Sequence, residues 1–206
     1  DQRVIDWLVT NFKGAYGVPY PDIAGLTFVG ATDSAVVRDM AAACGVESTP
    51  ARETHFFSLL ARIIDDALAA NRPHLYPGVP ALTRSLNARG HALGLVTGNV
   101  RATAWSKLRH AGLDADFSFG AYGDDHHLRP EIARIAIGRS PAGAVPRVLV
   151  GDTPLDVHAA KANGLVAVAV ATGWVSADDL AAAGADLVIP DFADVDASVA
   201  KLEAFL

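Results

Sequence analysis

The chain has 206 residues, 51% of them apolar, which is enough for one large domain or for a core with a smaller companion. Its 23 acidic and 17 basic side chains leave a net charge of −6, the opposite of a nucleic-acid-binding footprint. Cys44 stands alone, so no disulfide can close within the chain, and a cytoplasmic setting is expected. The opening DQRVIDWLVTNF has no basic stretch ahead of an apolar one and is not expected to act as a secretory leader; LVAVAVA at 165–171 is too short to span a bilayer. No nucleic-acid or membrane partner is expected.

Residues 1 to about 72 read as helices only. Val4, Ile5, Leu8, Val9 and Phe12 recur at helical spacing. Thr32 suits the N-cap of a helix through Ala43 that Gly45 closes. A third helix is predicted from Pro50 to Ala70, with Phe56, Leu59, Leu60, Ile63, Ile64 and Leu68 on its apolar stripe. The proline-dense RPHLYPGVP at 72–80 then breaks the pattern, giving a helical domain over 1–74 and a second domain over 75–206. From residue 80 helix and strand alternate. HALGLVT, FSFGAY, RVLVG, VAVAVAT and LVIP read as strands, each followed by a helix; Pro130 opens the one after FSFGAY, and Ser176 caps the one after VAVAVAT. Continuously apolar strands joined by helices make an α/β fold with a parallel, Rossmann-like sheet covered on both faces, whose ligands bind at the carboxyl ends of the strands.

The residues just past those strand ends carry the chemistry. After LGLV comes Thr97-Gly98-Asn99 and then a helix. A hydroxyl and backbone N–H groups at a helix N-terminus suit a phosphate, and they equally suit an ordinary cap and turn. Arg129 precedes Pro130 at a helix start, where its charge opposes the helix dipole unless an anion or acid lies near; the alternative is a solvated surface arginine. Asp152 and Asp156 follow VLVG four residues apart. Two carboxylates there suit Mg²⁺, which takes one or two with waters and a substrate phosphate; the alternative is that both cap the helix. The run Asp124, Asp125, His126, His127 points its side chains in different directions and reads as a loop rim, and Lys161 and Asn163 read as structural.

Taken together, TGN after a strand, an arginine before Pro-Glu, and GDTPLD after a later strand resemble motifs two, three and four of the haloacid dehalogenase (HAD) superfamily of phosphatases, in order and spacing over 77–173. The helical segment resembles that superfamily's small helical cap, and FVGATDSAVV at 28–37 is similar to the phosphoglycolate-phosphatase-like branch. The resemblance implies an aspartate nucleophile, an aspartyl-phosphate intermediate and a Mg²⁺ cofactor acting on a small phosphorylated metabolite. Carried onto this chain, it implies that Thr97, Gly98 and Asn99 hold the phosphoryl oxygens. Arg129 would steady the transferred group as a catalytic residue. Asp152 would ligate Mg²⁺ directly, Asp156 would bind through water or orient its neighbours, and Thr32 and Asp33 would face the substrate from the cap. A phosphosugar mutase would share every core residue, and a haloacid dehalogenase would not need metal.

One part of the pattern is missing. No Asp-x-Asp followed by Thr or Ser occurs before residue 77, so the first motif, with its nucleophile and general acid, lies outside the quoted residues. In the resembled fold that strand lies between LGLVT and VLVG. Without it two apolar strand edges lose their partners, at roughly 1–3 kcal/mol per buried backbone group. The expectation is a polypeptide that extends upstream of Asp1; the alternative is a non-catalytic relative that lacks the motif.

Overall fold

The computed structural model describes residues 10–19, 31–71, 73–141, 143 and 148–206. Residues 10–16 are helical; Val4, Ile5, Leu8 and Val9, expected on the same helix, lie outside the described residues. Two further helices complete the first region: α1, Asp33–Ala43, and α2, Pro50–Ala70. Both begin as the sequence predicts. Thr32 Oγ1 accepts from the Ala35 N–H at 3.1 Å, and Thr49 caps α2 ahead of a proline in its first turn. Phe12, Tyr16, Val37, Met40, Ala41 and Phe56 bury themselves together, with the Phe12 and Tyr16 rings stacked 4.4 Å apart. Of the predicted α2 stripe only Phe56 is fully buried; Leu59, Leu60, Ile63, Ile64 and Leu68 are half-buried.

Residues 73–78 lead to the second region. Its elements are α3 (Val79–Ala88), β1 (Gly94–Val96), α4 (Arg101–Ala111), β2 (Phe119–Ala121), α5 (Arg129–Arg139), β3 (Val148–Gly151), α6 (Pro154–Ala162), β4 (Val166–Val170), α7 (Ala177–Ala182), β5 (Leu187–Ile189) and α8 (Val195–Glu203). All strand pairings are parallel, as continuously apolar strands alternating with helices require. The strands are shorter than the apolar runs that announced them; HALGLVT yields only Gly94–Val96.

The described strands form two sheets. β1 pairs with β2, from Gly94 opposite Phe119 to Val96 opposite Ala121. β3, β4 and β5 form the other sheet in that order, with Val148 opposite Val166. Among the described residues no strand joins β1 to β3. Between them lies a cleft of about 810 Å³, lined by Leu93, Leu95 and Val96 on one side and Val148, Leu149 and Val150 on the other, under Leu86 of α3 and Ala136 of α5. Val150, in the middle of an apolar strand, is 43% exposed. This gap falls where the sequence expects the absent first strand.

Side contacts hold the two sheets together. Leu93 and Val148 pack against one apolar cluster with Leu82, Val168 and Val199, and Val96 packs on a second with Leu149, Val157 and Ala167. Helix α5 packs on β1 and β2, helix α6 on β3 and β4, and the two helices pack on each other. Asn163 Nδ2 donates to the Pro130 carbonyl at 2.9 Å, which ties the end of α6 to the start of α5; Lys161 Nζ pairs with Asp186 Oδ1 at 2.5 Å. Both residues are structural, as expected. Half-buried Cys44 donates from Sγ to the Pro19 carbonyl. Among the described residues no helix is long and apolar enough to cross a membrane.

Candidate active site

The turn after β1 extends the ladder by one bond, from the Thr97 N–H to the Ala121 carbonyl at 3.2 Å. Thr97 Oγ1 then accepts from the Asn99 N–H at 3.2 Å. Helix α4 follows with Val100 at its N-cap, a residue with no oxygen to offer. Its first amides are met from elsewhere. The Val100 N–H donates to Asp33 Oδ2 at 2.9 Å, and the Arg101 N–H donates to Asp124 Oδ1 at 3.0 Å. Asn99 Nδ2 reaches Asp33 Oδ1 at 3.3 Å, while Asn99 Oδ1 accepts from Lys107 Nζ at 2.8 Å. Burial pushes the Asp33 carboxyl up from its usual range, against the pull of the Val100 and Asn99 donors. Burial pushes the Lys107 ammonium down, and the Asp33 charge opposes that.

The first region seats directly on this turn. The Asp33 N–H donates to the Gly98 carbonyl at 2.8 Å, and Ser34 Oγ donates to the Gly123 carbonyl at 2.5 Å. A Cβ on Gly98 would stand 2.7 Å from the Ala31 carbonyl oxygen, so only glycine lets the helical region approach so closely.

The turn after β3 is built differently. Thr153 and Asp156 form a capping box on α6: the Asp156 N–H donates to Thr153 Oγ1 at 3.4 Å, and Asp156 Oδ2 accepts from the Thr153 N–H at 3.1 Å and from its hydroxyl at 2.7 Å. Asp156 Oδ1 pairs with Arg129 Nη1 at 3.1 Å, with 9% and 14% of the two side chains exposed. Arg129 opens α5, and Asp156 is the acid that its unfavourable position required. Asp152 packs against the Gly173 backbone, where a Cβ would collide with its carboxylate. Burial, and then the Asp156 charge, push the Asp152 carboxyl up.

The structure places the expected site residues unequally. Thr97, Gly98 and Asn99 stand at the carboxyl end of β1, and Asp152 and Asp156 at that of β3, across the cleft from them; Arg129 links the two sheets through Asp156. The Asn99 N–H, expected to hold a phosphoryl oxygen, is engaged by the Thr97 hydroxyl because the turn satisfies its own donors. Thr32 is 2% exposed, caps α1 and donates to the His127 carbonyl at 3.1 Å, so it does not face an open site as expected. Asp33 faces the N-terminus of α4. Asp156, offered as a metal ligand, has Oδ2 on Thr153 and Oδ1 on Arg129, contacts that cap α6 and fit a residue that orients its neighbours.

Of the loop rim, Asp125 accepts from the Tyr122 N–H at 3.0 Å and pairs with Arg139 at 2.6 Å, and the His126 and His127 rings stack 4.6 Å apart. The capping roles of Asp33 and Asp124 and the part of Lys107 were not found in the sequence. The one signal for them was Val100, an N-cap residue that cannot cap.

Asp152 has the chemistry of a Mg²⁺ donor: a hard carboxylate at a strand end, wedged against glycine, whose charged form is disfavoured until a cation or proton arrives. Asp156 would orient such a site and Arg129 would flank it. Among the described residues no three His, Cys, Asp or Glu side chains converge as a metal cluster.

Residues 12–170 match the family model described as haloacid dehalogenase-like hydrolase. The chain belongs to that family. It is 35% identical over 152 residues to a phosphoglycolate phosphatase of Rhodospirillum rubrum, covering 72% of this chain and 60% of the relative. It is 33% identical over 124 residues to the probable phosphatase IndB of Dickeya dadantii, covering 59% of this chain and 54% of the relative. The chain thus spans between half and two thirds of the length of these relatives. A hydrolase from Pseudomonas syringae superposes with a TM-score of 0.67 at 19% identity, over 96% of this chain and 92% of that one, which shows the shared fold.

Proposed function

We propose that the polypeptide is a Mg²⁺-dependent phosphatase of small phosphate monoesters, working through an aspartyl-phosphate, with phosphoglycolate the leading substrate. One observation carries this reading: a cleft lined by β1 and β3, the two strands that lead into Thr97-Gly98-Asn99 and into Asp152, with Arg129 of α5 paired to Asp156 of α6. In that arrangement the Thr97 hydroxyl and the Gly98 N–H hold phosphoryl oxygens. Arg129, locked by Asp156, places positive charge beside them without a loss of side-chain freedom during reaction. Asp152 holds the metal, which neutralises charge on the phosphoryl group when bound.

The nucleophile would stand on a strand that fills the cleft. Its acid would emerge at the carboxyl end, between the two turns. The names of the phosphoglycolate phosphatase relatives and the helical region over the Gly98 turn support a small, enclosed substrate.

The test is turnover of p-nitrophenyl phosphate and of phosphoglycolate by the longest native polypeptide that contains residues 1–206. Turnover that needs Mg²⁺ and is abolished by Asp152→Asn is expected. Full activity in that variant, or no turnover by the longest native polypeptide, overturns the reading.

A further inference from the structure

Helix α4 has an unusual debt at its start. Its own N-cap residue, Val100, offers no acceptor, and its first turn contains no acid. An N-terminus with exposed amides and partial positive charge needs an acceptor from somewhere. Asp33, 67 positions earlier in the chain and part of the helical region, supplies it: its carboxylate takes the Val100 N–H and the Asn99 side chain, while its backbone N–H holds the Gly98 carbonyl. Lys107, in the second turn of α4, meets the same Asn99 from the other side. Asp33 therefore grips every residue from Gly98 to Val100.

We propose that Asp33 is a positioning residue that couples the seat of the helical region to the Thr97–Asn99 turn. When the helical region is docked, the turn is held in one shape; when it lifts, the Val100 N–H loses its acceptor, α4 keeps only the Asp124 contact at Arg101, and the turn loosens. The phosphate-holding part of this inference rests on the proposed function, but the mechanical part does not. A second polar anchor between the same regions provides a control. Asp65 of α2 accepts from Ser106 Oγ and, at 3.2 Å, pairs with His110 Nε2, both well along α4 and away from the turn. A purely adhesive role for Asp33 would make the two anchors interchangeable.

The experiment is amide hydrogen exchange on the chain carrying Asp33→Ala, Asp33→Asn or Asp65→Ala, with inorganic phosphate binding measured by titration calorimetry. Asp33→Ala should speed exchange at Val100 about five- to tenfold, the effect of losing a helix cap, and weaken phosphate binding by a similar factor. Asp33→Asn should restore part of the protection, since its amide oxygen accepts the same N–H. Asp65→Ala should leave Val100 exchange as in the parent chain. Unchanged Val100 exchange in Asp33→Ala, or an equal rise in Asp65→Ala, overturns the coupling. Faster exchange with unaltered phosphate affinity bears out the coupling and overturns its phosphate-holding part. If the parent chain binds no phosphate, the exchange data alone decide whether Asp33 links the two regions, and the phosphatase reading is decided by the turnover assay.

Discussion

The two turns that flank the central cleft begin helices in opposite ways. The turn after β3 caps itself: Thr153 and Asp156 exchange hydrogen bonds within four residues, and Arg129 clamps the acid from the neighbouring helix. The turn after β1 is capped from a distance, by Asp33 and Asp124. A self-capped turn keeps its shape whatever the rest of the molecule does, and so holds Asp152 at a fixed point. A turn capped from elsewhere depends on its neighbours' positions. The arrangement gives one rigid wall to the site and one that answers to the helical region.

The comparison can be broken most directly at Asp156. Asp156→Ala removes the box and takes away the partner that Asp156 Oδ1 gives the buried Arg129 guanidinium. A loss of about 3–5 kcal/mol is expected, read by chemical denaturation, because breaking a buried ion pair costs more than losing a surface bond. A loss below about 1 kcal/mol, the scale of an exposed pair, would mean the two turns are not different in kind.

Asp152→Asn should separate function from stability. Turnover is expected to fall about a hundredfold or more, on the scale of disturbed metal sites. The melting temperature should hold or rise near neutral pH. The sign follows from the raised folded-state carboxyl. The folded state binds this proton more tightly than the unfolded chain, so the penalty is absent below the ordinary carboxylate pKa. It grows as pH rises toward the folded value and is complete above it. Asparagine removes that pH dependence, and melting curves from pH 4 to 8 would show it.

Smaller effects sharpen the contrast further. Thr153→Ala should cost about 1 kcal/mol, since its hydroxyl is the acceptor for the Asp156 N–H in a local box. Asp124→Ala should cost about 0.5 kcal/mol, because Asp33 still covers the adjacent amide of α4. Equal losses in thermal melts of the two variants would show that shared capping carries no redundancy.

Features encoded by neighbouring residues were legible in the sequence. Thr32 and Ser176 cap the helices they precede, and Pro50 and Pro130 open theirs, because a start signal needs only three or four residues. The parallel order of strands and the gap between β1 and β3 were legible for the same reason, through continuously apolar runs and a missing one. The Thr153–Asp156 box had the right spacing for a cap, yet two acids beside a strand end read equally well as metal ligands. Only the Arg129 contact, made across helices, separates the roles of Asp152 and Asp156. Asp33 was out of reach, since its partners lie 66 and 67 positions away and depend on how the two regions dock.

The division of the strands also bears on how the chain acquires its shape. β3, β4 and β5 are consecutive in the chain and joined by single helices, so their contacts close over short loops and can assemble early. β1 and β2 make a pair of three residues each, too little to stand alone in water. That pair must wait for α5 to lean on α6 and for the Arg129 clamp to close, which makes residues 148–203 the natural folding nucleus and the Thr97–Asn99 turn among the last parts to set.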